Sequence, residues 1–301
     1  MFGSAESADT EDSRRRAAGY TGMVGIERFL GVDLAWRDGS AATAANESGV
    51  VVIDGDGHVL NAGWTRGVAA TAEWVNTAAG NHAALVFIDA PLVVDNPAGQ
   101  RLCERQVGQR YARWRVSANT TNLGSPRRAG VTLRELLQTT GWGYSDGWAG
   151  PPSGGRSMSE CYPYTTLVGA PELGYDVDGE RPRYKRKPRS QQMDRWRLTR
   201  AAACDELLRR MDRLRGAVPP LLLRGHPLTR QLLDEPSPTP DAAYKHREDL
   251  IDALLCAWTA ALWAVHGASR CQVLGGPGPP GRPTATIIAP AVAAQRRTDN
   301  P

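Results

Sequence analysis

The stretch Ala83-Ala84-Leu85-Val86-Phe87-Ile88-Asp89-Ala90-Pro91 constrains this chain more than any other. Its six leading residues are all apolar, without the alternation of a strand that has one wet face, so they suit a strand buried on both faces of a sheet. A sheet of that kind needs cover on both sides, which places the chain in the α/β class. Pro91 has no N–H for a ladder and ends the strand just past Asp89. A carboxylate is thereby left at the C-terminal end of a central strand, the edge where open α/β sheets place ligands.

Arg28 to Trp36 repeats the anomaly. Phe29-Leu30-Gly31-Val32 runs into Asp33 with no adjacent Lys or Arg, and a carboxylate inside a sheet is costly unless a metal or a hydrogen-bond donor compensates it. By itself Asp33 reads as a strand end that caps the next turn. Around these two strands the pattern predicts a hairpin of Val50–Ile53 and His58–Trp64 about Asp54-Gly55-Asp56-Gly57, with a helix over 71–79. Asn96-Pro97 opens a helix to about Arg115, and a Gly/Pro/Ser/Asn-rich loop or lid, with one helical turn at 133–139, fills about 117–156. A short strand follows at 157–163, bearing Glu160 near its end, then a helical turn at 165–169 and an amphipathic helix at 194–216. Leu221 to Leu223 suits a brief strand, Glu235 to Pro240 an extended connector, 241–266 a long last helix and 284–288 a terminal edge strand.

At 301 residues with 41% hydrophobic content, one elaborated domain over 26–290 is expected, with 1–25 and 291–301 as mobile tails. No run approaches 18 consecutive apolar residues, and the N-terminus lacks the apolar core of a secretory signal, so a cytoplasmic protein without membrane association is expected. The five cysteines are isolated, without a C-x-x-C pair, and fit reduced, buried thiols.

The net charge of +4 is small but unevenly placed. Nine Lys or Arg stand against one acid, Asp194, between Arg181 and Arg200, in a basic segment that runs on to 216. Arg101, Arg105, Arg110, Arg113, Arg115, Arg127 and Arg128 form a second group. With Tyr111, Trp114, Tyr184 and Trp196 interleaved, such clustering suits nucleic acid, or else solvated helix faces. Lys185, Arg186, Lys187, Arg127 and Arg128 are the candidate phosphate contacts.

In the last helix Leu250, Ile251, Leu254, Leu255, Trp258 and Leu262 define an apolar face, and Asp249 and Asp252, three apart, share the opposite side. Alone they read as acids that favour the helix macrodipole and point into water. Taken with Asp33 and Asp89 they would converge at one sheet edge. Such a cluster repels itself and raises its own pKa values unless divalent cations occupy it. Oxygen-only ligands favour Mg²⁺ or Mn²⁺ over zinc, and two such ions are the apparatus of in-line phosphodiester hydrolysis.

Three antiparallel strands, a helix, a fourth strand and a terminal helix, bearing Gly31-Val32-Asp33, Phe87-Ile88-Asp89 and Asp249-Leu250-Ile251-Asp252-Ala253, resemble the ribonuclease-H-like fold. The paired Asp-x-x-Asp-Ala resembles Holliday-junction resolvases of the RuvC type. With Ile88-Asp89-Ala90-Pro91-Leu92, Glu160-Cys161-Tyr162-Pro163, Tyr184-Lys185 and Asp252-Ala253-Leu254-Leu255-Cys256-Ala257-Trp258, the chain is similar to a widespread bacterial domain-of-unknown-function family of predicted nucleases, over roughly Arg28 to Pro290. The resemblance implies a central mixed five-stranded sheet, with Asp33, Asp89, Asp249 and Asp252 as catalytic metal ligands. In resolvases the fourth-strand acid is usually Glu; here it is the shorter Asp89. Glu160 is a candidate extra ligand or a strand-end cap, and His246, one turn before Asp249, could position a water.

The leading expectation is a metal-dependent nuclease whose partner is DNA or RNA. The alternatives are a binding protein for nucleic acid or nucleotide without turnover, and a phosphotransferase related to actin-like ATPases. No G-x-x-x-x-G-K-[ST], G-x-G-x-x-G or G-x-S-x-G motif occurs, against P-loop, dinucleotide and serine-hydrolase chemistry.

Overall fold

The sheet is built from its middle outward. β1 (Arg28–Asp33) pairs antiparallel with β2 (Glu47–Asp54), which turns back through β3 (Val59–Arg66); α1 (Val68–Ala79) then crosses over, so that β4 (Ala84–Ile88) lies parallel to β1 on its other side. α2 (Leu102–Arg110) and α3 (Ala129–Thr139) precede β5 (Gly143–Tyr144) and β6 (Arg156–Glu160). β6 pairs parallel with β4, and β5 pairs parallel with β6 at the edge. α4 (Pro163–Gly169), α5 (Met193–Arg213), α6 (Pro227–Asp234) and α7 (Asp241–His266) follow, and β7 (Cys271–Leu274) with β8 (Ile287–Pro290) makes a separate antiparallel pair. The computed structural model describes residues 25–36, 44–175, 183–185, 187–188, 190–278 and 282–296. The tail expected over 1–25 lies outside them but for Gly25, as do Arg181, Arg186, Arg189 and residues 297–301.

The sheet order is β3-β2-β1-β4-β6-β5, an α/β arrangement of antiparallel then parallel strands with six members rather than five. The sixth is β5, from the region expected to be a loop or lid. Part of that region joins the core: Leu133, Leu137 and Trp142 are buried with α1 against the sheet. Strand residues alternate between two cores. Leu30, Val32, Val86 and Ile88 face α1 and α3, while Phe29, Leu85 and Phe87 face α7. The apolar run of β4 is thus covered on both faces, as its sequence requires.

α7 is enclosed almost all round: Arg247 to Ala264 are buried without a break, so Asp249 and Asp252 do not occupy a wet side opposite the leucines. Its tightest approach is to glycines. A Cβ on Gly31 would lie 1.9 Å from the Ala253 carbonyl oxygen, and one on Gly49 2.0 Å from that of Asp249. Because Gly49 is paired with Asp33, the two glycines let the helix backbone rest directly on β1 and β2 where the acids stand. Over Asp241–Ser269 an 18-residue window has mean hydropathy 1.4, long and apolar enough to cross a membrane by composition; 89% of it is buried inside the protein, where a core helix belongs.

Other boundaries differ for local reasons. The Asn96 amide donates to the carbonyls of Ala98, Gly99 and Thr121, tying a loop instead of capping a helix, so α2 begins at Leu102. Leu222 makes a single bridge to His58 and passes into a 3₁₀ turn at Leu223–Gly225, not a strand, and α6 had no expected counterpart. β8 pairs with β7 rather than the main sheet, to which an isolated bridge between Ile288 and Cys161 joins it. The C-terminal tail packs as far as Arg296: Gln295 is buried, and its side-chain amide donates to the Val168 carbonyl at 2.8 Å.

Gly31→Ala is expected to destabilise the protein by about 3 kcal/mol, the scale of forced overpacking against backbone, whereas Gly63→Ala, whose Cβ meets nothing within 4 Å, should stay within about 1 kcal/mol of wild type. Urea unfolding midpoints measure both; equal midpoints would contradict the close approach of α7.

Candidate metal centre

Val32 lies opposite Ile88 in the parallel β1–β4 ladder, and the Asp89 N–H donates to the Val32 carbonyl at 2.8 Å. Asp33 and Asp89 therefore stand side by side at adjacent strand ends. The pleat turns both toward α7, on the same face as Phe29 and Phe87. The helix, seated on Gly31 and Gly49, brings Asp252 to the same place. Asp33, Asp89 and Asp252 each offer a carboxylate oxygen within 4.8 Å of the others. Asp249 lies outside that group of three, but its carboxyl stands near Asp33, whose negative charge acts on it directly. All four acids are buried, Asp252 completely, and Asp33, Asp89 and Asp249 line a cleft of about 540 Å³.

Burial, and then the charge of Asp33, pushes the Asp89 and Asp249 carboxyls up to about 8. Two lysines enter the same cluster. The Lys185 ammonium sits on Asp252 Oδ2, which has no other partner, and lies 3.7 Å from Glu248 Oε1. The Lys245 ammonium contacts Asp249 and lies 3.2 Å from Glu248 Oε1. Burial pulls both ammonium groups down, but Asp33 and Glu248 outweigh it and hold them above their ordinary values. The Tyr184 hydroxyl donates to Asp252 Oδ1 at 2.7 Å.

Glu248 and Lys245 are not among the site residues that the sequence predicts. Glu248 and Lys245 sit in the same helical turns as Asp249, where their spacing carries the only signal. Tyr184 reads in the sequence as an aromatic of the basic segment beside Lys185, whereas the structure gives its hydroxyl to Asp252.

Glu160 is held by protein partners. Arg101 grips both its oxygens, at 2.6 and 2.8 Å, and the Leu92 N–H donates to it at 3.0 Å. Arg101 also donates to Glu104 at 2.8 Å and to the Val93 carbonyl at 3.1 Å, so a buried ion network fixes the segment just past Asp89. His246 is engaged at the rim: its Nδ1 lies 2.7 Å from Glu47 Oε2, and its ring stacks on Trp64 at 3.6 Å.

Of the candidate phosphate contacts, Lys185 alone among the described residues lines the cleft. Lys187 is exposed and donates to the Pro188 and Gln191 carbonyls. Arg127 and Arg128 are exposed at the start of α3, whose Ala129 N–H donates to the carbonyl of Trp36, a rim residue.

The donor set fits a metal ion. It is oxygen-only, it gathers like charges in a buried place, and Asp33 Oδ2 is buried with no hydrogen-bond partner at all. One family's sequence profile matches residues 31–276, under the description "Protein of unknown function (DUF429)". The chain belongs to the DUF429 family. The DUF429 match takes in all four aspartates and runs from within β1 to just past β7. Among curated proteins and among solved structures nothing matches the chain.

Between pH 4 and pH 8 the metal-free fold holds protons on Asp89 and Asp249 that the unfolded chain, with ordinary carboxylates, has released. Their contribution to stability therefore falls as pH rises through that window, and a cation that replaces the protons restores it. Mn²⁺ should raise the melting temperature more at pH 8 than at pH 5. Thermal melts with and without Mn²⁺ measure this, and an equal or larger rise at pH 5 would contradict it.

Proposed function

We propose that this DUF429 chain is a divalent-metal-dependent nuclease on a ribonuclease-H-like scaffold, hydrolysing phosphodiester bonds of DNA or RNA. The observation that carries the reading is the buried cluster of Asp33, Asp89 and Asp252 at adjacent strand ends, with Asp33 Oδ2 unpartnered. Three antiparallel strands followed by parallel ones, with α7 across the strand that bears the first acid, support the scaffold. Asp33 and Asp89 would hold Mg²⁺ or Mn²⁺, with Asp249 and Asp252 beside them. Bound there, the cation would supply Lewis acidity toward water and phosphoryl oxygens.

The chain's own groups supply the rest. Lys185 and Lys245 place positive charge over the carboxylates, where a phosphodiester could approach without facing bare anions. Arg66 lines the rim, and Arg127 and Arg128 stand next to Trp36, so a backbone entering the cleft meets cations before acids. The Arg101–Glu160 pair keeps the segment after Asp89 in place.

The ion pairs Lys185–Asp252 and Lys245–Asp249 favour a second reading, in which the acids are neutralised internally and the cleft binds nucleic acid without turnover. Cleavage assays separate the two. With Mn²⁺ or Mg²⁺ the purified chain should cut single-stranded, duplex or branched DNA or RNA, and EDTA should stop it. Asp33→Asn should lower the rate about 100-fold or more while the protein still melts cooperatively. Absence of cleavage on every one of these substrates, or full activity in Asp33→Asn, would overturn the nuclease reading.

A further inference from the structure

The four aspartates are not equally open to a cation. Among the described residues no Lys or Arg nitrogen lies within 4.0 Å of an Asp33 or Asp89 carboxylate oxygen, and Asp33, a member of the cluster, has its Oδ2 buried without a hydrogen-bond partner. Asp252 is different: Tyr184 donates to one oxygen at 2.7 Å and Lys185 occupies the other. A further carboxylate, Glu248, lies 3.7 Å from the same ammonium. The carboxylates that a second ion would need therefore already hold a positive charge.

Lys185 is also built into its place. Tyr184, the residue before it, is fully buried and tied twice to α7: through its hydroxyl to Asp252, and through its carbonyl, which accepts the Tyr244 hydroxyl at 2.6 Å. The ammonium lies 5.7 and 5.8 Å from the ring centroids of Tyr164 and Tyr184, within cation–π range. Its side chain is 16% exposed, against 59% for Lys245, which reaches Asp249 from the rim. Lys245 can swing into solvent, whereas Lys185 has rings and a buried anchor around it.

We infer that the centre takes a single divalent ion, on Asp33 and Asp89, and that Lys185 stands where a second ion would otherwise sit, on Asp252 and Glu248. This rests on the metal-binding reading of the cluster and departs from the two-ion arrangement that the acidic motifs suggest. Lys185 then supplies as a fixed ammonium the second positive charge of the site.

Counting bound Mn²⁺ tests this without reference to activity. Wild-type protein titrated calorimetrically should bind one Mn²⁺, with an electron paramagnetic resonance spectrum free of coupling between ions. Lys185→Ala should bind two, and Lys185→Arg one. Two coupled ions in wild type, or one ion at unchanged affinity in Lys185→Ala, would overturn the inference while leaving a metal site. No bound Mn²⁺ in wild type would overturn the metal reading itself. The wild-type count stands alone should either variant fail to fold.

Discussion

The contact between the backbone of α7 and the backbones of β1 and β2 at Gly31 and Gly49 underlies everything else in this protein. A side chain at either position would push the helix away by the thickness of a methyl group. The aspartates of α7 would then no longer reach Asp33 and Asp89, and the apolar face of β1, β2 and β4 would lose its cover. One steric permission thus closes the core and assembles the acids. Buried packing tolerates little adjustment, so the cluster inherits the rigidity of the core.

That rigidity has an electrostatic consequence. Like charges held together in a buried place must take up protons, pair with cations or bind metal, and the protein shows the first two at once. Protons are favoured on Asp89 and Asp249, while Lys185 and Lys245 lean on Asp252 and Asp249. What remains without a hydrogen-bond partner is Asp33 Oδ2, on a carboxylate clustered with Asp89 and Asp252. Glu160, equally buried one strand further along, belongs to a different balance, because Arg101 answers it on both oxygens.

Much of this was legible in the sequence for identifiable reasons. The unbroken apolar run of β4 announced a two-sided core, and Pro91 fixed Asp89 at its end. The Asp-x-x-Asp spacing put two carboxylates within reach of one point. Strand β5 was not legible because two residues carry no periodicity, and α6 was hidden behind Leu221 to Leu223, whose β-like composition ends in a 3₁₀ turn. Glu160 was ambiguous because its partner Arg101 lies 59 residues away and reads locally as part of a basic helix. The burial of α7 on both faces could not be read from its wheel, since Asp249 and Asp252 look like a wet stripe until a second layer covers them.

The central claim is that the aspartate cluster is a cation site, and a crystal structure of the protein grown with Mn²⁺ tests it most directly. The account predicts an anomalous-scattering peak bonded to oxygens of both Asp33 and Asp89, at about the 2.0–2.2 Å expected for a small hard cation. A cluster that stays free of metal at saturating Mn²⁺, or a peak elsewhere on the surface with Asp33 Oδ2 still unpartnered, would contradict it.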